Sequence, residues 1–277
     1  MMASPTLLVP LDGSPKATAA LPVARGLADL MGATVALIHV GREALGPGEL
    51  LDRMRLSAED VRGLVIDQCS GSPADAIVRA AAARHTVLIV MCAPARPTGP
   101  SYPIGSVPGD VLRTAPCPVV LVPSIRGRHP WSLRQLVLPH DGTPTSAAAI
   151  APAADLASRA GDLVVLHVAT PAAERPAESG TFVAPRYLDQ PQHEWPGWER
   201  EFLERVRGAG HPAHIEKIRL VLAQGEASAA ILEFARRNAS DLIALAWRGS
   251  LEPERAQTIR RVIRDANCPV IVFRVQA

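Results

Sequence analysis

The stretch from Gly105 to Val122 reads Gly-Ser-Val-Pro-Gly-Asp-Val-Leu-Arg-Thr-Ala-Pro-Cys-Pro-Val-Val-Leu-Val, and it decides the fold class. Serine is a favoured N-cap residue, so the sequence predicts a helix that begins at Ser106 and continues to Arg113. Pro116 and Pro118 then end the helix, and the β-branched run after them predicts a buried strand. The start of this helix is a candidate phosphate site, because free amides and the positive end of the helix dipole attract anions.

This pattern of strands and helices occurs twice in the chain. Leu-Val-Pro-Leu-Asp-Gly-Ser-Pro at 8–15 recurs as Val-Leu-Pro-His-Asp-Gly-Thr-Pro at 137–144, and the Cys-Pro pair at 117–118 recurs at 268–269. Self-similarity over so long a period indicates two duplicated domains. The domains expected are residues 1–125 and 135–277, joined by a linker over 126–134, with an insertion over 169–216 in the second.

Hydrophobic spacing predicts the elements of each copy. The strands expected are Thr6–Leu11, Thr34–Val40, Leu64–Cys69, Val87–Met91 and Val119–Val122, then Leu136–Leu138, Leu163–Val168, Ile218–Leu222, Leu242–Ala246 and Val270–Phe273. The other helices expected are Ala17–Met31, Leu50–Leu56, Ser72–Arg84, Ala147–Arg159, Ala227–Arg237 and Thr258–Asp265. Apolar strands that alternate with helices predict a parallel sheet covered on both faces, with ligands at the carboxyl ends of its strands.

Composition narrows the class of protein. The chain has 277 residues and a formal net charge of +2, with no block of like charge, so neither nucleic acid nor a membrane is an expected partner. No apolar run is long enough to span a bilayer, and we expect a cytoplasmic protein. Four cysteines without paired spacing predict free thiols and no metal site.

Three motifs together resemble the universal stress protein family, here as a tandem. They are Val-Pro-Leu-Asp-Gly-Ser-Pro at 9–15, Gly-Ser-Val at 105–107 and Ala-Pro-Cys-Pro-Val-Val-Leu-Val at 115–122. The resemblance implies two α/β domains, each a five-stranded parallel sheet with helices on both faces, Rossmann-like and similar to the adenine nucleotide alpha hydrolases. Family members commonly pair through their last strands, which implies an intramolecular pairing of Val119–Val122 with Val270–Phe273.

The resemblance also implies a nucleotide site in the first copy. ATP-binding members carry a loop of Gly, two residues, Gly, nine residues and Gly-Ser; here Cys92 and Ala95 replace the first two glycines, and a side chain at either position obstructs phosphate. The implied cofactor-binding residues are Pro10, Asp12, Val40 and Met91 for adenine and ribose, and Arg96, Gly105, Ser106 and Val107 for the phosphates. Three of these have ordinary structural alternatives, since Asp12 and Ser106 are good capping residues and Val40 ends a core strand.

The second copy departs further from the ATP-binding pattern. Ala246 replaces the first glycine, and Ala256-Gln257 replaces Gly-Ser. We therefore expect no phosphate site there, and expect Asp141 and Val168 to serve capping and core roles.

The insertion carries Tyr187, Trp195 and Trp198. Trp198, Phe202 and Val206 fall at helical spacing, which favours a helix whose aromatic side chains pack on the domain's own sheet. The alternative is that an arm over Pro185–Pro196 contacts the other copy or a partner protein.

These features favour a non-enzymatic binding module of a stress response. The first hypothesis is an adenine-nucleotide binder that takes ATP, with Mg²⁺, in domain 1 only. The alternative is a nucleotide-free scaffold, without cofactor, that works through paired sheets and the Pro185–Trp198 arm, as an internal pair, a homodimer or with another protein. An ATP-hydrolysing or phosphotransfer enzyme ranks third, because no nucleophile and base pair is evident and Lys16 and Lys217 are the only lysines.

Overall fold

The structure is a computed structural model, and it describes residues 4–93, 104–169, 179–182, 194–209, 218–248 and 253–275. Contacts between Cα atoms divide the chain into two compact units. The first unit comprises residues 1–132 and 263–272, and the second comprises residues 133–262 and 273–277. This division follows contacts and not the sequence repeat, so the domain boundaries at 1–125, 126–134 and 135–277 stay a prediction.

The first unit alternates strands and helices, as its sequence predicts. Its elements are β1 (Thr6–Leu11), α1 (Ala20–Met31), β2 (Thr34–Val40), α2 (Pro47–Met54), β3 (Val65–Cys69), α3 (Pro73–Ala83), β4 (Thr86–Ala93), α4 (Ser106–Thr114) and β5 (Val119–Pro123). The strands lie in the order β3-β2-β1-β4-β5 and are parallel. Residues 270–272 add an antiparallel strand beside β5, with Ile271 opposite Val120.

The core of the first unit is centred on β1. Leu7, Leu8 and Val9 are fully buried, and so are Val23 and Leu27 of α1, which packs on this strand. Both faces of β1 are apolar, so both must be covered by other parts of the unit. Its two edges are hydrogen-bonded to β2 and β4. The central strand therefore brings its carboxyl end, Pro10 to Asp12, to a fixed position in the unit.

The second unit has the same order of elements. They are β6 (Gln135–Pro139), α5 (Pro144–Ala147), α6 (Ile150–Ser158), β7 (Asp162–Ala169), α7 (Glu194–Ala209), β8 (Ile218–Gln224), α8 (Ala227–Arg237) and β9 (Leu242–Trp247). Strands β9, β6, β7 and β8 are neighbours in that order and are parallel. The contact division splits α9 (Pro253–Asp265) and β10 (Val270–Arg274) between the units.

Four expected helices differ from the structure. The helix expected over Ala17–Met31 is a 3₁₀ helix over Ala17–Ala19 followed by α1. The helix expected over Ala147–Arg159 is two helices, α5 and α6, since Pro152 has no amide hydrogen with which to bond the carbonyl of Ala148. The helix expected over Leu50–Leu56 lies at Pro47–Met54, because proline is favoured in a first turn and Arg55 adopts a left-handed conformation (φ 55°) that ends it. The last helix begins at Pro253 and not at Thr258.

The four cysteines are free thiols, as expected; Cys268 is buried and the other three are half-buried. Across the part of the chain that the structure describes, none of the helices combines the length and the apolar character needed to cross a bilayer.

Candidate functional site

The first unit contains a cavity of about 670 Å³ at the carboxyl ends of β1, β2 and β4. Helix α3 contributes Pro73 and Ile77 to its wall, and the start of α4 closes another side. Seven of the eight sequence-predicted site residues line it: Pro10, Asp12, Val40, Met91, Gly105, Ser106 and Val107. The eighth, Arg96, lies outside the described residues. The fold thus gathers residues from four separate segments around one space.

Gly105 sets the position of α4 against the cavity. Its φ of 93° lies in the region that favours glycine, and its carbonyl oxygen accepts the amide of Gly109 at 3.0 Å. Gly105 is therefore the N-cap, and the prediction that Ser106 is the N-cap is wrong. Ser106 is the first helical residue, and its side chain is exposed.

The first turn of α4 presents backbone donors to the cavity. The amides of Ser106 and Val107 precede the first residue that can bond within the helix, so they have no intrahelical acceptor. Pro108 contributes no amide hydrogen. Two amides and one exposed hydroxyl, at the positive end of the helix dipole, form a surface suited to an anion.

Asp12 and Lys16 supply the charges among the described residues of the cavity wall. The Oδ1 atom of Asp12 accepts a hydrogen bond of 2.8 Å from the amide of Ser14, and the carboxylate is otherwise exposed. Sequence reasoning named Asp12 but assigned no site role to Ser14 or Lys16. Their position in the turn directly after β1, where ligands bind in parallel sheets, is the signal that could have found them.

The thiol of Cys92 lies in the wall where an ATP-binding loop would have a glycine. Burial, and next the carboxylate of Asp12, raise the pKa of Cys92 to about 12. The side chain is therefore a neutral thiol at physiological pH, and it takes space from the cavity and makes the wall more apolar without adding charge.

The described wall of the cavity combines apolar side chains with serine hydroxyls. Among its described residues no histidine is present, so neither Ser14 nor Ser106 has an imidazole base within the cavity. The apolar side chains of Val40, Ile77 and Met91 instead offer a surface for a flat ring.

In the second unit the counterpart of Asp12 is used internally. The Oδ1 atom of Asp141 accepts hydrogen bonds from the amide of Thr143 at 3.1 Å, from its hydroxyl at 2.6 Å and from the hydroxyl of Ser146 at 2.8 Å. Thr143 in turn is the N-cap of α5. The prediction that Asp141 caps the helix is therefore wrong in its residue: Thr143 is the cap, and Asp141 holds Thr143 in place. Val168 is half-buried in β7.

Part of the insertion packs within the second unit. Trp198 and Phe202, on α7, are 6% and 2% exposed, in agreement with packing on the unit's own sheet. Tyr187 and residues 185–193 of the proposed arm lie outside the described residues, as do residues 249–252 of the second loop.

The comparisons with known proteins agree with this architecture. The model of the universal stress protein family matches residues 4–123 and again residues 132–274. The chain belongs to the universal stress protein family. The two matches, each over one copy of the repeat, make it a tandem universal stress protein.

Solved structures show the same fold over almost the whole chain. A universal stress protein from Archaeoglobus fulgidus DSM 4304 is 19% identical, with a TM-score of 0.65, and the match covers 98% of this chain and 96% of that one. A functionally unknown protein from Pseudomonas aeruginosa PAO1 is 18% identical, with a TM-score of 0.67, and the match covers 98% and 93% of the two chains. Among curated proteins, no sequence matches this tandem universal stress protein significantly.

Proposed function

We propose that the first unit binds an adenine nucleotide and acts, without catalysing a reaction, as a ligand-responsive module in a cytoplasmic stress response. The observation that carries this proposal is the cavity, which brings Asp12, Val40, Met91 and the first turn of α4 around one space. Its volume of about 670 Å³ is in the range of small-molecule sites.

The wall divides into regions that suit the parts of a nucleotide. Val40 and Met91 supply apolar contact for the base, and the exposed carboxylate of Asp12 can accept from ribose hydroxyls. The amides of Ser106 and Val107 and the Ser106 hydroxyl can donate to a phosphate. Arg96 is proposed as a further phosphate contact on the resemblance alone.

Lys16 supports the choice of an anionic ligand. Lys16 lines the same cavity as the start of α4, and both attract negative charge. ATP with Mg²⁺ is the ligand that we propose, in the first unit only, since bound Mg²⁺ would offset phosphate charge that one lysine leaves unbalanced.

A nucleotide-free scaffold is the second candidate function, and Cys92 favours it. The thiol takes space at a position that the ATP-binding pattern reserves for glycine. In this alternative the protein works through its sheets, and the antiparallel register of Val120 with Ile271 supports an internal pairing of the last strands. ATP hydrolysis or phosphotransfer ranks below both.

Calorimetric titration of the purified full chain with ATP and Mg²⁺ separates the two candidates. Nucleotide binding predicts a saturable heat with one equivalent bound, together with a rise in the unfolding temperature. Absence of both heat and stabilisation at millimolar ATP would overturn the proposal in favour of the scaffold. Mg²⁺ added alone, at the same concentration, controls for effects of the cation.

A further inference from the structure

Lys16 is the one cation on the described part of the cavity wall in the first unit. It follows β1, in the turn that also carries Asp12 and Ser14, and its side chain is exposed. The turn after a central strand is where parallel sheets bind their ligands. Lys16 therefore brings a positive charge to the place in the fold where a ligand is expected.

Hydrogen bonds on both sides hold the backbone of Lys16 in place. The amide of Ala17 donates to the carbonyl oxygen of Ser14 at 3.2 Å, and the amide of Ala19 donates to the carbonyl oxygen of Lys16 at 3.2 Å. Ala17 is buried and also lines the cavity, so the turn is packed against the core. The lysine side chain thus begins at a fixed point beside the cavity, and its four-carbon stem can adjust to a ligand.

The charge of Lys16 is available to a ligand. Among the residues that the structure describes, its ammonium group has no ion-pair partner. The carboxylate of Asp12, on the same wall, accepts instead from the amide of Ser14 at 2.8 Å. By contrast, Arg113 on α4 is paired with Asp110. A phosphate at the cavity would therefore not have to displace a carboxylate from Lys16.

The positive charge of Lys16 also acts on a side chain of the cavity wall. Burial, and next the carboxylate of Asp12, raise the pKa of the Cys92 thiol to about 12, and the charge of Lys16 acts in the opposite direction. Coulombic effects fall with distance, and Cys92 faces the cavity. The field of Lys16 thus reaches the space that a ligand would fill.

The other phosphate donors of the described wall are neutral. The first turn of α4 offers the amides of Ser106 and Val107 and the Ser106 hydroxyl, since Pro108 has no amide hydrogen. The helix dipole adds the equivalent of about half a positive charge, whereas Asp12 contributes a full negative charge. Without Lys16 the described wall is therefore net negative, and a net negative wall disfavours a phosphate relative to an uncharged nucleoside.

We propose that Lys16 is the specificity-determining residue of this cavity: its ammonium group binds a phosphate of the ligand and makes the first unit select nucleotides over nucleosides. The inference rests on the proposed nucleotide site, and it names the residue that decides between the charged and the uncharged members of that ligand class. The second unit has Thr145 at the corresponding position of the repeat, so this cation belongs to the first unit alone.

The first experiment measures the affinities of ATP with Mg²⁺ and of adenosine for the native chain and for Lys16→Met, by calorimetry. Lys16→Met should weaken ATP about thirtyfold, by loss of one charge-assisted hydrogen bond, and leave adenosine unchanged. Arg79→Met is the matched control, because it removes an exposed cation from α3 that is not part of the described wall. Both affinities should be unchanged in the control. The Lys16 side chain is exposed, so ligand-free Lys16→Met should unfold at the native temperature.

Two further measurements separate an ionic contact from packing. Lys16→Arg keeps the charge and should retain most of the affinity for ATP, although its geometry differs. Raising the NaCl concentration from about 50 mM to about 500 mM should weaken ATP more for the native chain than for Lys16→Met, because salt screens the attraction between lysine and phosphate. Equal salt dependence in the two proteins would show that Lys16 does not contact the phosphate.

The results distinguish this inference from the proposed function. If the native chain binds neither ATP nor adenosine, the proposed function is wrong and the inference falls with it. If ATP binds and Lys16→Met keeps its native affinity, or loses ATP and adenosine equally, the nucleotide site stands and the role given to Lys16 is wrong. A native chain that binds adenosine as tightly as ATP would also overturn the inference, because the cavity would then not select for phosphate.

Discussion

The Nδ1 atom of His167 donates a hydrogen bond of 2.9 Å to the carbonyl oxygen of His140. His39 and Leu11 make the same bond at 2.8 Å in the first unit. A carbonyl oxygen only accepts, so both imidazoles carry a proton on Nδ1. The bond joins the ends of two parallel strands in each unit, and it fixes the orientation of the imidazole at the carboxyl edge of the sheet.

We expect the second unit to lose stability as the pH falls from 6.5 to 4. Burial lowers the pKa of His140 from 6.5 to about 4, although the carboxylate of Asp141 raises it, and burial also lowers the pKa of His167. The unfolded chain therefore binds protons that the folded unit does not. The contribution of neutral His140 to the free energy of unfolding is complete above pH 6.5. About 3 kcal/mol of that contribution is lost by pH 4. Denaturant-dependent hydrogen exchange of β6 and β7 peptides measures this loss.

Two variants assign the pH dependence to the buried ring. His140→Leu should remove most of it, and His129→Gln, which replaces an exposed histidine, should leave it intact. If the stability of the second unit depends on pH in His140→Leu as it does in the native chain, the assignment to His140 is wrong.

Gly142→Ala should destabilise the second unit more than Gly13→Ala destabilises the first. Both glycines have φ of 82°, so alanine causes the same backbone strain at each. An added Cβ at Gly142 would lie 2.3 Å from the carbonyl oxygen of Phe182, whereas at Gly13 it would lie 3.3 Å from Cε1 of His39. The expected difference is about 2 kcal/mol, because a backbone atom must move in one case and a side chain in the other. Hydrogen exchange of β1 and β6 peptides compares the two, and equal losses would show that Phe182 does not press on Gly142.

The sequence was sufficient where a run of apolar residues was bounded by turn residues. Strands Thr6–Leu11 and Thr34–Val40 and helix Ala227–Arg237 have the expected bounds, because burial and local propensity agree in them. The prediction of one helix over Ala147–Arg159 was wrong because the alanines of this stretch are compatible with one helix or with two. The missing amide hydrogen of Pro152 interrupts the helical hydrogen bonds.

The candidate site and the covered strand ends of the second unit differ in how far sequence could predict them. Asp12 and Gly105 stand in motifs, so their meeting at the cavity could be expected from the family resemblance. The contact of Phe202 with His140 could not, since it depends on the path of an insertion that has no counterpart in the first copy. Local periodicity predicts the apolar face of α7 but not the strand ends that this face covers.

Ser106→Ala should weaken ATP binding about tenfold and leave stability unchanged. The Ser106 side chain is exposed and does not cap α4, so its loss removes only a donor to the phosphate. Gln257→Ala is the matched control, because Gln257 holds the equivalent place in the second copy and is also exposed. Calorimetry with ATP and Mg²⁺ should show unchanged affinity for the control, and equal weakening in both variants contradicts a site confined to the first unit.

Asp12→Ala and Asp141→Ala should have opposite consequences, although the two residues occupy the same place in the repeat. Asp12 accepts one local hydrogen bond, from Ser14, so its removal should cost less than about 1 kcal/mol of stability. Asp141 accepts three, from Thr143 and Ser146, and its loss leaves the Thr143 amide without this acceptor and loosens the hydroxyl network at the start of α5. Asp141→Ala should therefore cost about 2–3 kcal/mol in the second unit.

The effect on ligand binding should be the reverse. Asp12→Ala should weaken ATP about tenfold by loss of a ribose contact, whereas Asp141→Ala, in protein that remains folded, should bind ATP as the native chain does. Hydrogen exchange of peptides from each unit, measured at increasing urea concentration, gives the stability of each unit. Calorimetry on the same samples gives the affinity for ATP. Were Asp12→Ala to lose stability and keep its affinity, Asp12 would be a residue that only holds its own turn, like Asp141, and the ribose would need another hydrogen-bond partner in the cavity.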